Sequence, residues 1–223
     1  GWGNDTGNGC ATDANGNVFL SGQTFSTQGI AIAGYDTVPG PSSDAFLVKF
    51  DPNGVRQWGT YYAGENGGGY GHACAADADG NVYLAGQTQS ATGVANGGHQ
   101  NTYGGVTDAY LVKFNSIGQR LWGTYYGGPL NELAYFCVAD SSSNVYITGW
   151  AQSLEGIADG GHQNTYGGGT FDAFLAKFDA GGTRLWATYY GGDQDDQAWV
   201  CALDGTEAVY MSGNTASLSG IAD

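Results

Sequence analysis

The chain has 223 residues, 41 of them glycine, with 13% aromatic side chains and a formal net charge of −15. Its basic residues recur at two positions, Lys49, Lys113 and Lys177, then Arg56, Arg120 and Arg184, so no basic patch exists to displace counterions from nucleic acid or to hold an anionic membrane surface. No apolar run approaches the ~20 residues that cross a bilayer as a helix, which excludes that mode of membrane insertion, while the apolar content suffices for a packed core.

In chain order, the first recognisable segment is CATDANGNVFLSG at 10–22, a short strand, a turn of Asp, Asn and Gly, and a second strand. A polar stretch follows, then DAFLVKF at 44–50 and RQWGTYYAG at 56–64. The same order returns. In the second unit HACAADA (72–78) and NVYLAGQT (81–88) are expected as strands around the turn ADG at 78–80. DAYLVKF (108–114) and RLWGTYY (120–126) follow, joined by the tight turn NSIG (115–118). Asn, Asp and Gly suit such turns because they tolerate left-handed backbone. The third unit carries CVADSSSNVYITG (137–149), DAFLAKF (172–178) and RLWATYYGG (184–192), and a fourth opens with CALDGTEAVYMSG at 201–213. The DAFLVKF-type segments begin at residues 44, 108 and 172, 64 residues apart each time.

A long regular repeat decides the architecture before any single residue does. Each unit reads as four consecutive antiparallel strands. The third strand is apolar on both faces, with Tyr110, Val112 and Phe114 on one and Ala109 and Leu111 on the other, as a sheet covered on both sides requires. Small residues (Cys74, Ala75, Ala76) gather in the first strand and large ones (Trp122, Tyr125, Tyr126) in the fourth. That gradient suits blades narrow at an axis and wide outside, so the expected fold is an all-β β-propeller of four-stranded antiparallel blades with a 64-residue repeat. A β-solenoid is the runner-up, but its coils are shorter with fewer turns. The blades are expected at 1–63, 64–127 and 128–191, with the inner half of a fourth at 192–223. Closed propellers generally have four to eight blades, so the region is expected to belong to a larger propeller, completed by further blades of the chain or by another copy. The start at Gly1, without Met or a signal-like segment, reads as a processed or excised chain.

The run GTRLWATYYGG, an acidic stretch, CAADADGNVYLAGQT, the loop GGHQNTYGG and DAFLVKF together resemble the SBBP family of bacterial β-propeller repeats. The resemblance covers essentially the whole chain. It implies a secreted or cell-surface protein of Bacteroidetes type, similar to type IX secretion cargo and surface adhesins. It implies no particular chemistry, because the family is defined by its repeat. The first unit departs from the pattern, with AGYDTVPGPSS at 33–43 in place of GGHQNTYGG.

Cys10, Cys74, Cys137 and Cys201 occupy one position in four units. Such copies sit too far apart for a disulfide, and metal sites use short CxxC pairs absent here, so the expected role is a small buried residue on a central strand. The recurring Lys and Arg are expected to lay their stems along a blade and bond a repeat carboxylate such as Asp108.

Two features are candidates for binding. His99, Gln100, Asn101 and Tyr103, repeated as His162, Gln163, Asn164 and Tyr166, offer the amides, imidazole and ring that sugar hydroxyls and faces need. The competing reading makes them blade-edge loops whose side chains cap backbone groups. Asp193, Asp195 and Asp196 offer hard oxygen ligands to calcium, the one cofactor the sequence suggests. Asp77-Ala78-Asp79-Gly80-Asn81 looks similar but lies where a hairpin turn is expected and lacks the closing Glu of an EF-hand loop. Catalysis needs unlike residues converging on one pocket, so the places that break the repeat are of interest: His72, Trp150, Trp199 and the loop from Tyr35 to Pro41. The expected function is a non-catalytic secreted or cell-surface scaffold or adhesion module presenting loops to a protein or glycan. The alternative is part of a propeller glycoside hydrolase or lyase with carboxylates converging at the axis.

Overall fold

The computed structural model describes residues 1–62, 64–206 and 208–221; the expected unit boundary at 63 and the last two residues of the chain lie outside them. Regular structure in the described residues is entirely β. The first sheet contains β1 (Asp5–Thr12), β2 (Val18–Thr24), β3 (Asp44–Phe50) and β4 (Arg56–Tyr62) in that order. The second contains β5 (Tyr70–Ala76), β6 (Val82–Thr88), β7 (Asp108–Phe114) and β8 (Arg120–Tyr126). The third contains β9 (Glu132–Ala139), β10 (Val145–Ala151), β11 (Asp172–Phe178) and β12 (Arg184–Tyr190). A two-stranded sheet of β13 (Asp196–Leu203) and β14 (Val209–Thr215) follows. All pairings are antiparallel between chain neighbours. These are propeller blades set in an open arc.

Third and fourth strands fall where the sequence places them. The first strand of the second blade runs from Tyr70 to Ala76 instead of 72–78, because Asp77 leaves the ladder to close the turn. Its Oδ1 accepts the Asp79 and Asn81 amides at 3.1 and 2.9 Å, and its own N–H donates to Asn81 O at 3.0 Å. Asp13, Asp140 and Asp204 hold the other inner hairpins in the same way. The calcium-like run at 77–81 is therefore an Asp-closed turn.

The inner strands β1, β5, β9 and β13 pack side by side, and β5, β9 and β13 each lie against the preceding sheet. Three apolar layers result. One lies between the first two blades around Phe19, Trp58, Leu84 and Phe114. The next joins the second and third around Tyr83, Trp122, Ile147 and Phe178, and a smaller one surrounds Tyr146, Leu175 and Cys201. Polar ties repeat across the layers. Trp58 Nε1 and Lys49 Nζ both donate to Ser116 O at 3.1 Å, and Trp122 Nε1 donates to Ala180 O at 2.9 Å. Such bonds satisfy each indole as it is buried.

Two expectations need correction. The repeat carboxylate that pairs with a lysine is not Asp108 but the turn aspartate of the same blade, Asp77 for Lys113 at 3.0 Å and Asp140 for Lys177 at 3.6 Å, whereas Lys49 donates to Ser116 O. The Lys113 ammonium also lies 4.9 Å from the Tyr83 ring centroid. The arginines cap carbonyls of the long second-to-third-strand loop, as when Arg120 Nη1 donates to Gly93 O and Val94 O at 3.1 Å. The cysteines are all free, and Cys74, Cys137 and Cys201 are buried, but Cys10 is exposed because no described strand packs on the outer face of the first blade.

Candidate functional site

The HQNTYGG loops lie along the outer edges of their blades. Gln100 pairs with Tyr125 of β8 and Gln163 with Tyr189 of β12 through isolated bridges. Each loop therefore covers the open edge of an outermost strand, a position that otherwise invites non-native pairing. The side chains serve that geometry. Gln100 Nε2 donates to Thr102 O at 2.9 Å while its Oε1 accepts the Gly127 amide at 3.1 Å. Asn101 accepts from Gly97 N at 3.0 Å and donates to Gly98 O at 2.9 Å. Tyr103 donates to Val106 O. Gln163, Asn164 and Tyr166 repeat the pattern with Thr165 O, Gly161 O and Gly169 O. His99 stands edge-on to Phe178 of the next blade at 6.3 Å, where burial and the Arg184 charge lower its pKa. Tyr35, at the equivalent place in the divergent first-blade loop, meets Phe114 as a tilted pair at 6.3 Å, and His162 packs near Tyr190.

The acidic cluster is divided among backbone partners. Asp193 is exposed, Asp195 Oδ1 accepts Thr170 N at 2.6 Å, and buried Asp196 accepts Gly192 N at 2.8 Å and Ser217 Oγ at 2.9 Å. Among the described residues no three His, Cys, Asp or Glu side chains are grouped to hold a metal ion. Asp196 instead faces Asp172 across the blade junction. A Cβ on Gly191 would lie 2.7 Å from Asp172 Oδ1 and 2.8 Å from Asp196 Oδ2. Asp108 and Glu132 flank Gly127 in the same way. Burial pushes the carboxyls of Asp44, Asp108 and Asp172 up to about 6, and Glu132 is also raised.

The residues that break the repeat come together elsewhere. Every inner strand carries a β-bulge at one place. Register skips Asn8 between Gly7 and Gly9, His72 between Gly71 and Ala73, Tyr135 between Ala134 and Phe136, and Trp199 between Ala198 and Val200. A bulge leaves one extra residue unpaired and re-aims its side chain. Opposite each skip stands a mid-strand glycine, Gly22, Gly86, Gly149 or Gly213, whose Cβ would lie 1.7–1.9 Å from a carbonyl oxygen of the bulged strand. The fold thus spends a glycine in each second strand on holding the bulge open.

The four bulged side chains line one concavity of about 490 Å³ at the axis, with Gly7, Cys10, Phe136 and Val200 among its walls. His72 meets Tyr135 edge-on at 5.3 Å, and Tyr135 stacks on Trp199 at 4.7 Å with 29° between the rings. Trp150 Nε1 donates to the Tyr135 hydroxyl at 3.1 Å, and His72 Nε2 lies 3.4 Å from Gln87 Oε1. Burial lowers the His72 pKa, which favours neutral imidazole. Thus the sequence-marked residues His72, Trp150 and Trp199 do assemble, whereas the HQNTYGG residues lie on the outer edges. Asn8 and Tyr135 were not marked by sequence; the recurring motif begins at the cysteine, two residues beyond the bulge. The signal available was the glycine inside each second strand.

No protein-family profile matches the chain. Over 200 residues it is 26% identical to an uncharacterized WD repeat-containing protein, L264, of Acanthamoeba polyphaga mimivirus, an alignment covering 76% of this chain and 14% of that protein. Over 141 residues it is 27% identical to the regulatory protein FlaEY of Caulobacter vibrioides, covering 63% and 15%. The chain spans about one-seventh of the length of the curated relatives it matches. The first likeness agrees with the blade architecture and describes a propeller repeat protein.

Proposed function

We propose that the chain is a non-catalytic propeller scaffold, displayed outside the cell, that recognises a protein partner through its axial face. One observation carries this reading. The hydrogen bonds that build the blades recur from unit to unit, while the chemically varied residues Asn8, His72, Tyr135 and Trp199 share one bulged position and one concavity. A constant frame that gathers chemically varied residues in one concavity is how a scaffold carries recognition. The WD-repeat likeness supports the scaffold, since propellers of that kind bind protein partners. The non-catalytic part is supported by the axial lining, which contains no carboxylate, whereas Asp108, Glu132 and Asp172 are fully buried against backbone amides. Display outside the cell is supported by the acidity of the chain and its SBBP-like motifs.

Selection of displayed peptides against the native chain tests this. The expected binders lose about tenfold or more in affinity for the Tyr135→Ala/Trp199→Ala variant and none for Asn164→Ala, as truncation of central aromatic anchors costs most. Binders that instead require the outer loops would remove the axial face from the proposal. Turnover of chromogenic glycosides above the buffer rate, abolished by Glu132→Gln, would remove its non-catalytic part.

A further inference from the structure

We infer that the axial concavity is a binding site for a neutral saccharide. The inference rests on reading the axial face as the recognition face for a protein partner and names the group of that partner, a neutral glycan it carries, that enters the concavity. It is separate from the HQNTYGG loops, whose amides are occupied within the loop.

Three observations lead to it. The first is charge. The chain carries −15, yet no Asp, Glu, Lys or Arg lines this cavity. Such a lining offers nothing to ion-pair with a phosphate, sulfate or ammonium group, and the field of the whole chain repels anions. A neutral ligand suits it.

The second is the aromatic platform. Tyr135 covers one face of Trp199 at 4.7 Å and Trp199 remains 41% exposed. An indole held on one side and free on the other presents a rigid apolar plane that the C–H face of a pyranose can cover. The cavity volume falls within the ~300–1,000 Å³ of small-ligand sites.

The third is the set of hydrogen-bonding groups around that plane. The Tyr135 hydroxyl accepts from Trp150 Nε1, which leaves its own proton to donate. Asn8 Nδ2 donates to Gly71 O at 3.0 Å, leaving its exposed amide oxygen to accept. His72 is half-buried at the same rim. Mixed donors and acceptors around an aromatic plane match a ring that carries hydroxyls at its edge and C–H bonds on its face.

The test is a titration of the whole chain with methyl glycosides of glucose, galactose and mannose and with N-acetylglucosamine, followed by indole N–H signals in a two-dimensional nitrogen–proton NMR spectrum. At least one sugar is expected to shift the Trp199 and Trp150 signals saturably while Trp58 and Trp122, bonded to Ser116 O and Ala180 O, stay in place. Trp199→Ala should weaken that binding about tenfold, and Tyr135→Phe, which keeps the stack and removes the hydroxyl, should weaken it less. The methyl glycoside of glucuronic acid should bind more weakly than that of glucose. Unmoved axial signals with all four neutral sugars, in a chain whose Trp58 and Trp122 signals report a folded state, would overturn the inference. So would saturable shifts indifferent to Trp199→Ala. If no sugar binds while selected peptides still need Tyr135 and Trp199, the saccharide is wrong and the scaffold stands. If the peptides map to the outer loops, the axial recognition face itself is wrong.

Discussion

Asp172 shows how a repeated residue stores a pH response. Its carboxylate is fully buried, accepts the Gly167 amide and faces Asp196 across the blade junction. Burial chiefly, with the Asp196 charge added, moves its pKa from the ordinary 3.8 to about 6. A group whose folded pKa is raised contributes stability that is complete below the unfolded value and is lost as pH rises through the folded one. Asp172→Asn mimics the protonated form and removes that dependence. Thermal unfolding from pH 4 to pH 7 is therefore expected to show the variant gaining on the native chain as pH rises, by up to ~3 kcal/mol for a shift of this size. A constant difference across that range would show that Asp172 ionises in the folded chain as it does in water. The turn aspartates behave oppositely. Hydrogen bonds from Asn81 and the ion pair with Lys113 hold Asp77 below the ordinary range despite its burial, so its contribution is present at neutral pH and fades on acidification.

At the scale of elements, the third strand was fully legible. DAYLVKF has apolar residues on both faces and occupies the centre of a covered sheet, and the observed strand matches it end to end. The first strand was less legible, because Asp77 could extend the ladder or close a turn and the five-residue turn it closes satisfies more backbone groups. The bulges were not legible from periodicity, which presumes an unbroken two-residue alternation. They set the candidate site, so the site was only half readable: His72, Trp150 and Trp199 as breaks in the repeat, but not their convergence. The mid-strand glycines mark the bulges in retrospect. Gly86→Ala places a methyl group 1.7 Å from Tyr70 O, and straightening or spreading the pair to relieve it should cost about 3 kcal/mol. Gly54→Ala, at a turn with φ of 77° and nothing within 4 Å, should cost only the left-handed backbone penalty of roughly 1–2 kcal/mol. Urea unfolding of the two variants checks the order. An equal loss would mean that the close approach at the bulge relaxes without cost.

At the scale of the whole molecule, stacking gives the four cysteines two different environments. Cys74, Cys137 and Cys201 are sealed under the preceding blade, and burial pushes the Cys74 and Cys201 thiols up to about 12. Cys10 faces outward. Ellman's reagent should thus modify one thiol per chain quickly and the other three only on unfolding, because the thiolate is the nucleophile. Four fast thiols would show unstacked blades, and none would show that another surface covers the first blade. The arc also divides labour: repeated interblade bonds hold the shape, and bulged residues that contribute little to it face the axis. Thermal unfolding of Tyr135→Ala/Trp199→Ala beside Trp122→Ala tests that division most directly. Trp122 is 5% exposed and bonded to the next blade, so its single truncation should cost ~3–5 kcal/mol. The double axial variant should unfold cooperatively and at a higher temperature than Trp122→Ala. A double variant that melts at or below the temperature of Trp122→Ala would make the axial rings part of the frame and contradict the account.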